Sequence, residues 1–204
     1  MRLHRLSAFA AVSAMLLAAQ GPSVAKPAPQ LETAVFAGGC FWTMEHGLED
    51  IPGVVKAVSG FTGGKEPHPS YELVSSERTG YVEAVKVTFD PSKVSYATLV
   101  DRFWHMIDPT DSGGMVCDQG NSYHSAIFVS NPEQKRIADA SRAQLQVRFK
   151  GRVYTPVREA MPFWPAEAYH QGYARKNPVA YGQYKLGCGR DAVLKRVWGE
   201  VPKW

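Results

Sequence analysis

A strand that ends on two glycines and turns at once into a helix sets the frame of this chain. Thr33 to Ala37 is apolar and β-prone, Gly38-Gly39 stops it, and Cys40 to Asp50 reads as a helix that ends before Pro52-Gly53. Val54–Phe61 reads as the next strand, closed by Thr62-Gly63-Gly64, and Tyr81–Phe89 as another, ended by Asp90-Pro91. Ser95 caps a helix running to about Ile107, with Leu99 and Phe103 on one face. Tyr123–Ser130 reads as a strand. Asn131-Pro132, a cap followed by a first-turn proline, opens a helix to about Phe149, and Val153–Ala160 reads as a further strand. Two long loops, Lys65–Ser76 and Asp108–Ser122, interrupt the pattern. The succession β-α-β-β-α-β predicts an α+β fold, a ferredoxin-like two-layer sandwich. After Met161 the chain is rich in aromatics, Gly and Pro. It is expected to form a long C-terminal extension of irregular coil, with one short helix around Pro165–Tyr173.

The N-terminus has the layout of a secretory signal. Arg2 and Arg5 precede an apolar run, Leu6 to Ala19, and Ser23-Val24-Ala25 offers small residues for cleavage after Ala25. The run is short for a span of ~20 residues. Residues 1–25 are therefore expected to be a cleaved signal peptide, and the mature protein to be exported, in the periplasm, as a monomer without stable membrane insertion. Residues 26–32 read as a linker, 33–175 as the catalytic domain and 176–204 as a C-terminal tail. Loss of Arg2 and Arg5 lowers the formal charge from +4 to about +2, which leaves no basic footprint for nucleic acid. Three cysteines, Cys40, Cys117 and Cys188, are an odd number for an exported chain, so at least one thiol has no intramolecular partner.

Cys40 carries the strongest chemical signal. At the first turn of a helix, free backbone N–H groups favour a thiolate, and Phe41-Trp42 would give it an apolar wall. The alternative is a small buried hydrophobe. On the strand Tyr81–Phe89, Glu83 shares the odd-numbered face with Tyr81, Val85, Val87 and Phe89. A carboxyl on that apolar face should hold its proton near neutral pH. The other reading has Glu83 at the strand's end, reaching solvent or an arginine such as Arg78. Tyr71 and Tyr123 sit where the two long loops could converge, or are packing residues.

The ordered series Gly39-Cys40-Phe41-Trp42, Glu45, Ile51-Pro52-Gly53-Val54, Gly60-Phe61-Thr62-Gly63-Gly64, Pro69-Ser70-Tyr71-Glu72 and Thr79-Gly80-Tyr81-Val82-Glu83 resembles the A-type peptide-methionine sulfoxide reductases. So do Asp108-Pro109-Thr110, Gly120-Asn121-Ser122-Tyr123 and Pro165-Ala166-Glu167-Ala168-Tyr169-His170-Gln171. The resemblance implies reduction of the S epimer of methionine sulfoxide, free or in proteins. It implies Cys40 as nucleophile, Glu83, Tyr71 and Tyr123 as donors to the sulfoxide oxygen, and Phe41, Trp42 and Asp118 as substrate-binding residues. A sulfenic acid on Cys40 would condense with a second thiol, and a thioredoxin-like dithiol would reset the enzyme. No metal or organic cofactor is implied. Cys188, flanked by Gly187 and Gly189, is expected to swing in as the resolving cysteine. Cys117 is a relay partner, an alternative resolver or a bystander. A cysteine hydrolase would need an imidazole beside Cys40, which no spacing supports. An exported binding domain with one structural disulfide is the non-enzymatic alternative.

Overall fold

The computed structural model describes residues 30–201. In chain order its elements are β1 (Glu32–Ala37), α1 (Phe41–Glu49), β2 (Val54–Thr62), α2 (Tyr71–Ser75), β3 (Val82–Phe89) and α3 (Tyr96–His105). They continue with β4 (Gly114–Met115), β5 (Asp118–Gln119), a short 3₁₀ turn at Asn121–Tyr123, β6 (Ala126–Val129) and α4 (Pro132–Arg148). The last are β7 (Val157–Glu159), β8 (Trp164–Pro165), α5 (Tyr173–Lys176), α6 (Pro178–Cys188) and α7 (Arg190–Trp198). The caps read from sequence are made: Ser95 accepts from Thr98 N–H, and Asn131 accepts from Gln134 N–H ahead of Pro132.

The fold is α+β, with one mixed six-stranded sheet in the order β7-β6-β1-β3-β2-β8. Its four inner strands, β6-β1-β3-β2, are antiparallel to one another along that order. The parallel contact is β6 with β7, and α4 supplies the crossover that such a pair requires. The main core lies between the sheet face carrying Phe36, Val85, Val87 and Phe89 and the apolar sides of the helices, including Met44, Leu48, Leu99 and Phe103. Ala37, Val82, Ala84, Ala126 and Phe128 form a second buried patch, against which Phe163 packs.

Three sequence expectations are corrected. The C-terminal extension is not irregular coil: α5, α6 and α7 occupy most of it. A Cβ built at Gly182 or Gly187 would meet nothing within 4 Å, so these glycines answer no steric demand. The helix accepts them at a cost of roughly 1 kcal/mol each, offset by burial of Tyr181. Second, the strand expected over Val153–Ala160 is only Val157–Glu159, and no helix spans Pro165–Tyr173. Third, Tyr123 closes a 3₁₀ turn instead of opening a strand. The expected signal peptide and most of the linker lie outside the described residues.

Candidate active site

The turn between β1 and α1 is built so that Cys40 can be reached from several elements at once. Gly39 has φ +78, and a Cβ there would lie 2.5 Å from the Met115 Cβ and 2.8 Å from Arg190 Nη2. A Cβ at Gly38 would lie 2.6 Å from the Met44 sulfur. Only glycines let the β4 and α7 side chains approach this closely. Cys40 then caps α1, its carbonyl accepting from Thr43 and Met44 N–H.

The helix's first free N–H groups go to carboxyls, not to the thiol. Phe41 N–H donates to Glu83 Oε2 at 2.9 Å, and Cys40 N–H hydrogen-bonds Asp118. The expectation that the helix terminus favours a thiolate is therefore overturned. Burial first, then the charges of Glu83 and Asp118, push the thiol up to about 12, against smaller opposing effects of the Tyr184 hydroxyl and Arg190. Cys40 is a buried thiol in the resting site, and it is a free one.

Glu83 is 3% exposed, which decides between its two sequence readings in favour of the apolar face. Burial raises its carboxyl to about 8, and the Phe41 N–H opposes that rise only in part. Near neutral pH Glu83 is a protonated donor beside the thiol. Tyr81, two residues earlier, packs its ring on Gly64 and donates its hydroxyl to the Glu66 carbonyl. Tyr71, at the start of α2, hydrogen-bonds Tyr123. Burial and then the Glu83 charge raise both phenols, so both remain hydrogen-bond donors.

Phe41 turns inward, its ring 5.8 Å from Phe61 and 4.9 Å from His170. Trp42 is half-buried, stacks on Tyr173 at 3.7 Å with 8° between the planes, and donates Nε1–H to His170 Nδ1 at 3.0 Å. That bond puts the neutral imidazole's proton on Nε2, and burial lowers the His170 pKa. Glu45 is buried under this wall. Its Oε2 accepts from Ser59 Oγ at 2.9 Å and Gly172 N–H at 3.0 Å, tying α1 to β2 and to the turn before α5.

The Cys117–Cys188 disulfide adjoins the site, with Cα atoms 5.1 Å apart. Cys117 is exposed in the turn between β4 and β5, directly before Asp118, and Cys188 ends α6. Cys117 is thus paired with Cys188, and Cys188 is not on a free coil. One helical turn before Cys188, the Tyr184 hydroxyl donates to Asp118 Oδ2 at 2.6 Å and also lowers the Cys40 thiol.

Every site residue expected from sequence is in this neighbourhood. Tyr184, Arg190, His170 and Tyr173 were missed as functional candidates. Tyr184 is legible only once α6 is known to be helical, because then it shares a face with Cys188.

The peptide methionine sulfoxide reductase family model matches residues 32–201. The chain belongs to that family. It is similar to "Peptide methionine sulfoxide reductase MsrA 2" of Caulobacter vibrioides, 48% identical over 97% of this chain and 100% of that protein. It is similar to the MsrA of Bacillus velezensis, 49% identical over 82% of this chain and 96% of that one. Among solved structures, methionine sulfoxide reductase A of Corynebacterium diphtheriae matches at TM-score 0.66 and 32% identity, covering 74% of this chain and 77% of that one. The reduced form of Mxr1 from Saccharomyces cerevisiae matches at TM-score 0.70 and 28% identity, covering 76% and 89%. As a peptide methionine sulfoxide reductase the chain is an oxidoreductase acting on sulfur, and its cysteine chemistry is to be read in that light.

Proposed function

We propose that the enzyme reduces the S epimer of methionine sulfoxide, free or in proteins, through Cys40. The observation that carries this reading is the free, buried Cys40 thiol beside a carboxyl, Glu83, held protonated near neutral pH. Sulfoxide sulfur is attacked only when its oxygen is protonated or strongly hydrogen-bonded, and Glu83, Tyr71 and Tyr123 are the donors for that oxygen. Phe41 and Trp42 wall the substrate's methyl group, and Asp118 joins the binding site beside Cys40.

The step balances without an outside reagent. The Cys40 sulfur attacks the sulfoxide sulfur and forms an S–S bond as the S–O bond breaks and the protonated oxygen leaves as water. Water then attacks the Cys40 sulfur, breaking that S–S bond and releasing the thioether and a Cys40 sulfenic acid. Cys40 loses two electrons and the substrate sulfur gains them, with no net proton change. The Cys188 thiol then condenses with the sulfenic acid and releases water. Cys117 displaces Cys40 from Cys188, which leaves Cys40 free and the disulfide at Cys117–Cys188, the arrangement present here. A thioredoxin-like dithiol reduces that bond from the exposed Cys117 side. Mxr1, a structural neighbour, has also been solved in complex with Trx2.

The strand order β6-β1-β3-β2 supports a ferredoxin-like core within residues 33–175, with 176–204 as the recycling tail. The signal-like N-terminus supports export to the periplasm, where such an enzyme repairs oxidised exported proteins. Cys40→Ser should abolish methionine formation from the separated S epimer even with excess dithiothreitol. Retained turnover would refute the assignment.

A further inference from the structure

Arg190 begins α7 two residues after Cys188, and it is among the largest fully buried side chains, at 1% exposure. Its Nη2 donates to the Gly38 carbonyl at 2.9 Å. Among the described residues its Nε and Nη1 have no hydrogen-bond partner and no acid forms an ion pair with it. A buried guanidinium without a carboxylate is costly, and a negative charge forming nearby would offset that cost. The anion here is not a distant one. Gly38 and Gly39 lead directly into Cys40, and the space a Gly39 side chain would need is taken by Arg190 Nη2.

We propose that Arg190 is a positioning residue for the reduction step, a fixed positive charge beneath the Gly38-Gly39 turn that lets Cys40 become a thiolate. The other groups acting on Cys40 are Glu83 on β3 and Asp118 on β5, which oppose its ionisation, and the Tyr184 hydroxyl on α6, which assists it. Tyr71 and Tyr123 sense the Cys40 charge in turn. Arg190 is the cation in this set. It also pulls the carboxyls of Glu83 and Asp118 downward, so it is placed to balance whichever of the three carries the negative charge. Its carrier, α7, is held by Leu194 and Trp198 on the same helix face, so the charge stays in place when the Cys117–Cys188 bond opens.

This rests on Cys40 being the nucleophile, but its test does not use turnover. With the Cys117–Cys188 disulfide closed, Cys40 is the single free thiol, and its rate of alkylation by iodoacetamide between pH 7 and 10 follows its thiolate fraction. Arg190→Gln should lower that rate about tenfold at each pH, equivalent to about one pKa unit. Arg190→Met fills the same apolar stem volume and replaces Gln if that variant loses its near-UV circular dichroism. Arg190→Lys keeps the charge and should stay within about threefold of wild type. Wild-type rates in a folded neutral variant, or a tenfold fall in the Lys variant, would overturn the proposal. Should Cys40→Ser retain methionine formation, the functional reading fails while the alkylation result still reports the charge.

Discussion

At the scale of single residues, the site is governed by burial outweighing local electrostatics. The helix terminus spends its first N–H donors on Glu83 and Asp118, and desolvation leaves the Cys40 thiol protonated, with its value raised to about 12. For Glu83 the sign of the pH effect follows from its value of about 8 against an ordinary 4.5. Between those values the folded protein keeps a proton that the unfolded chain releases. The group's stabilising contribution is therefore complete below about pH 4.5 and is lost as pH rises through about 8. Glu83→Gln, which cannot ionise, should gain stability relative to wild type by about 4 kcal/mol as pH rises from 5 to 9, read by urea denaturation. In single turnover Glu83→Ala should be slower by roughly two to four orders, and Glu83→Gln, which still donates, only modestly slower. A Glu83→Ala variant with wild-type single-turnover rates would reduce this carboxyl to a structural role.

At the scale of elements, the two disulfide-bonded cysteines sit on two different supports. Cys117 is carried by the tight hairpin β4–β5, where Val116 takes φ +62, a conformation that a β-branched side chain rarely adopts. The Asp111 carboxylate holds that turn by accepting Val116 N–H at 2.9 Å. Cys188 is at the end of α6, where Gly189 at φ +66 terminates the helix and starts α7. Both Cys188→Ser and Cys117→Ser should release one methionine per enzyme and then stall with a thioredoxin-type reductant. Peptide mapping should find a trapped Cys40–Cys188 bond in Cys117→Ser, and a small dithiol should partly rescue both variants. If Cys188→Ser instead accumulates a Cys40–Cys117 bond as fast as wild type closes its own disulfide, the order of the two resolving steps is reversed.

At the scale of the whole molecule, the C-terminal helices complete a site that the sheet and α1 begin. Leu194 is fully buried, and Trp198 donates Nε1–H to the Ile107 carbonyl at 2.8 Å. Its ring also lies 4.7 Å from the Arg148 guanidinium and 4.5 Å from the His105 ring. Trp198→Ala should cost about 3–5 kcal/mol of stability. Because α7 anchors Arg190 at one end and α6 holds Cys188 just ahead of it, multiple turnover should fall more than single turnover. Equal losses in both assays would show that docking of α7 supports only the fold.

The sequence by itself determined the long strands and helices up to Phe149, though not α2 or the β4–β5 hairpin inside the two expected loops, together with the caps at Ser95 and Asn131 and the buried face of Tyr81–Phe89. These follow from turn chemistry and from periods of 2 and 3.6, which act between near neighbours in the chain. Glycines at 182, 187 and 189 hid α6 and α7, because glycine reads as flexibility wherever the burial that offsets it comes from distant residues. Only the tertiary structure decided that Cys117 pairs with Cys188, that Tyr184 reaches Asp118, that Arg190 is buried, and that Cys40 rests as a thiol. Each of these depends on groups brought together across the chain, as Arg190 and Gly38 are across 152 residues, and on the water that their approach excludes.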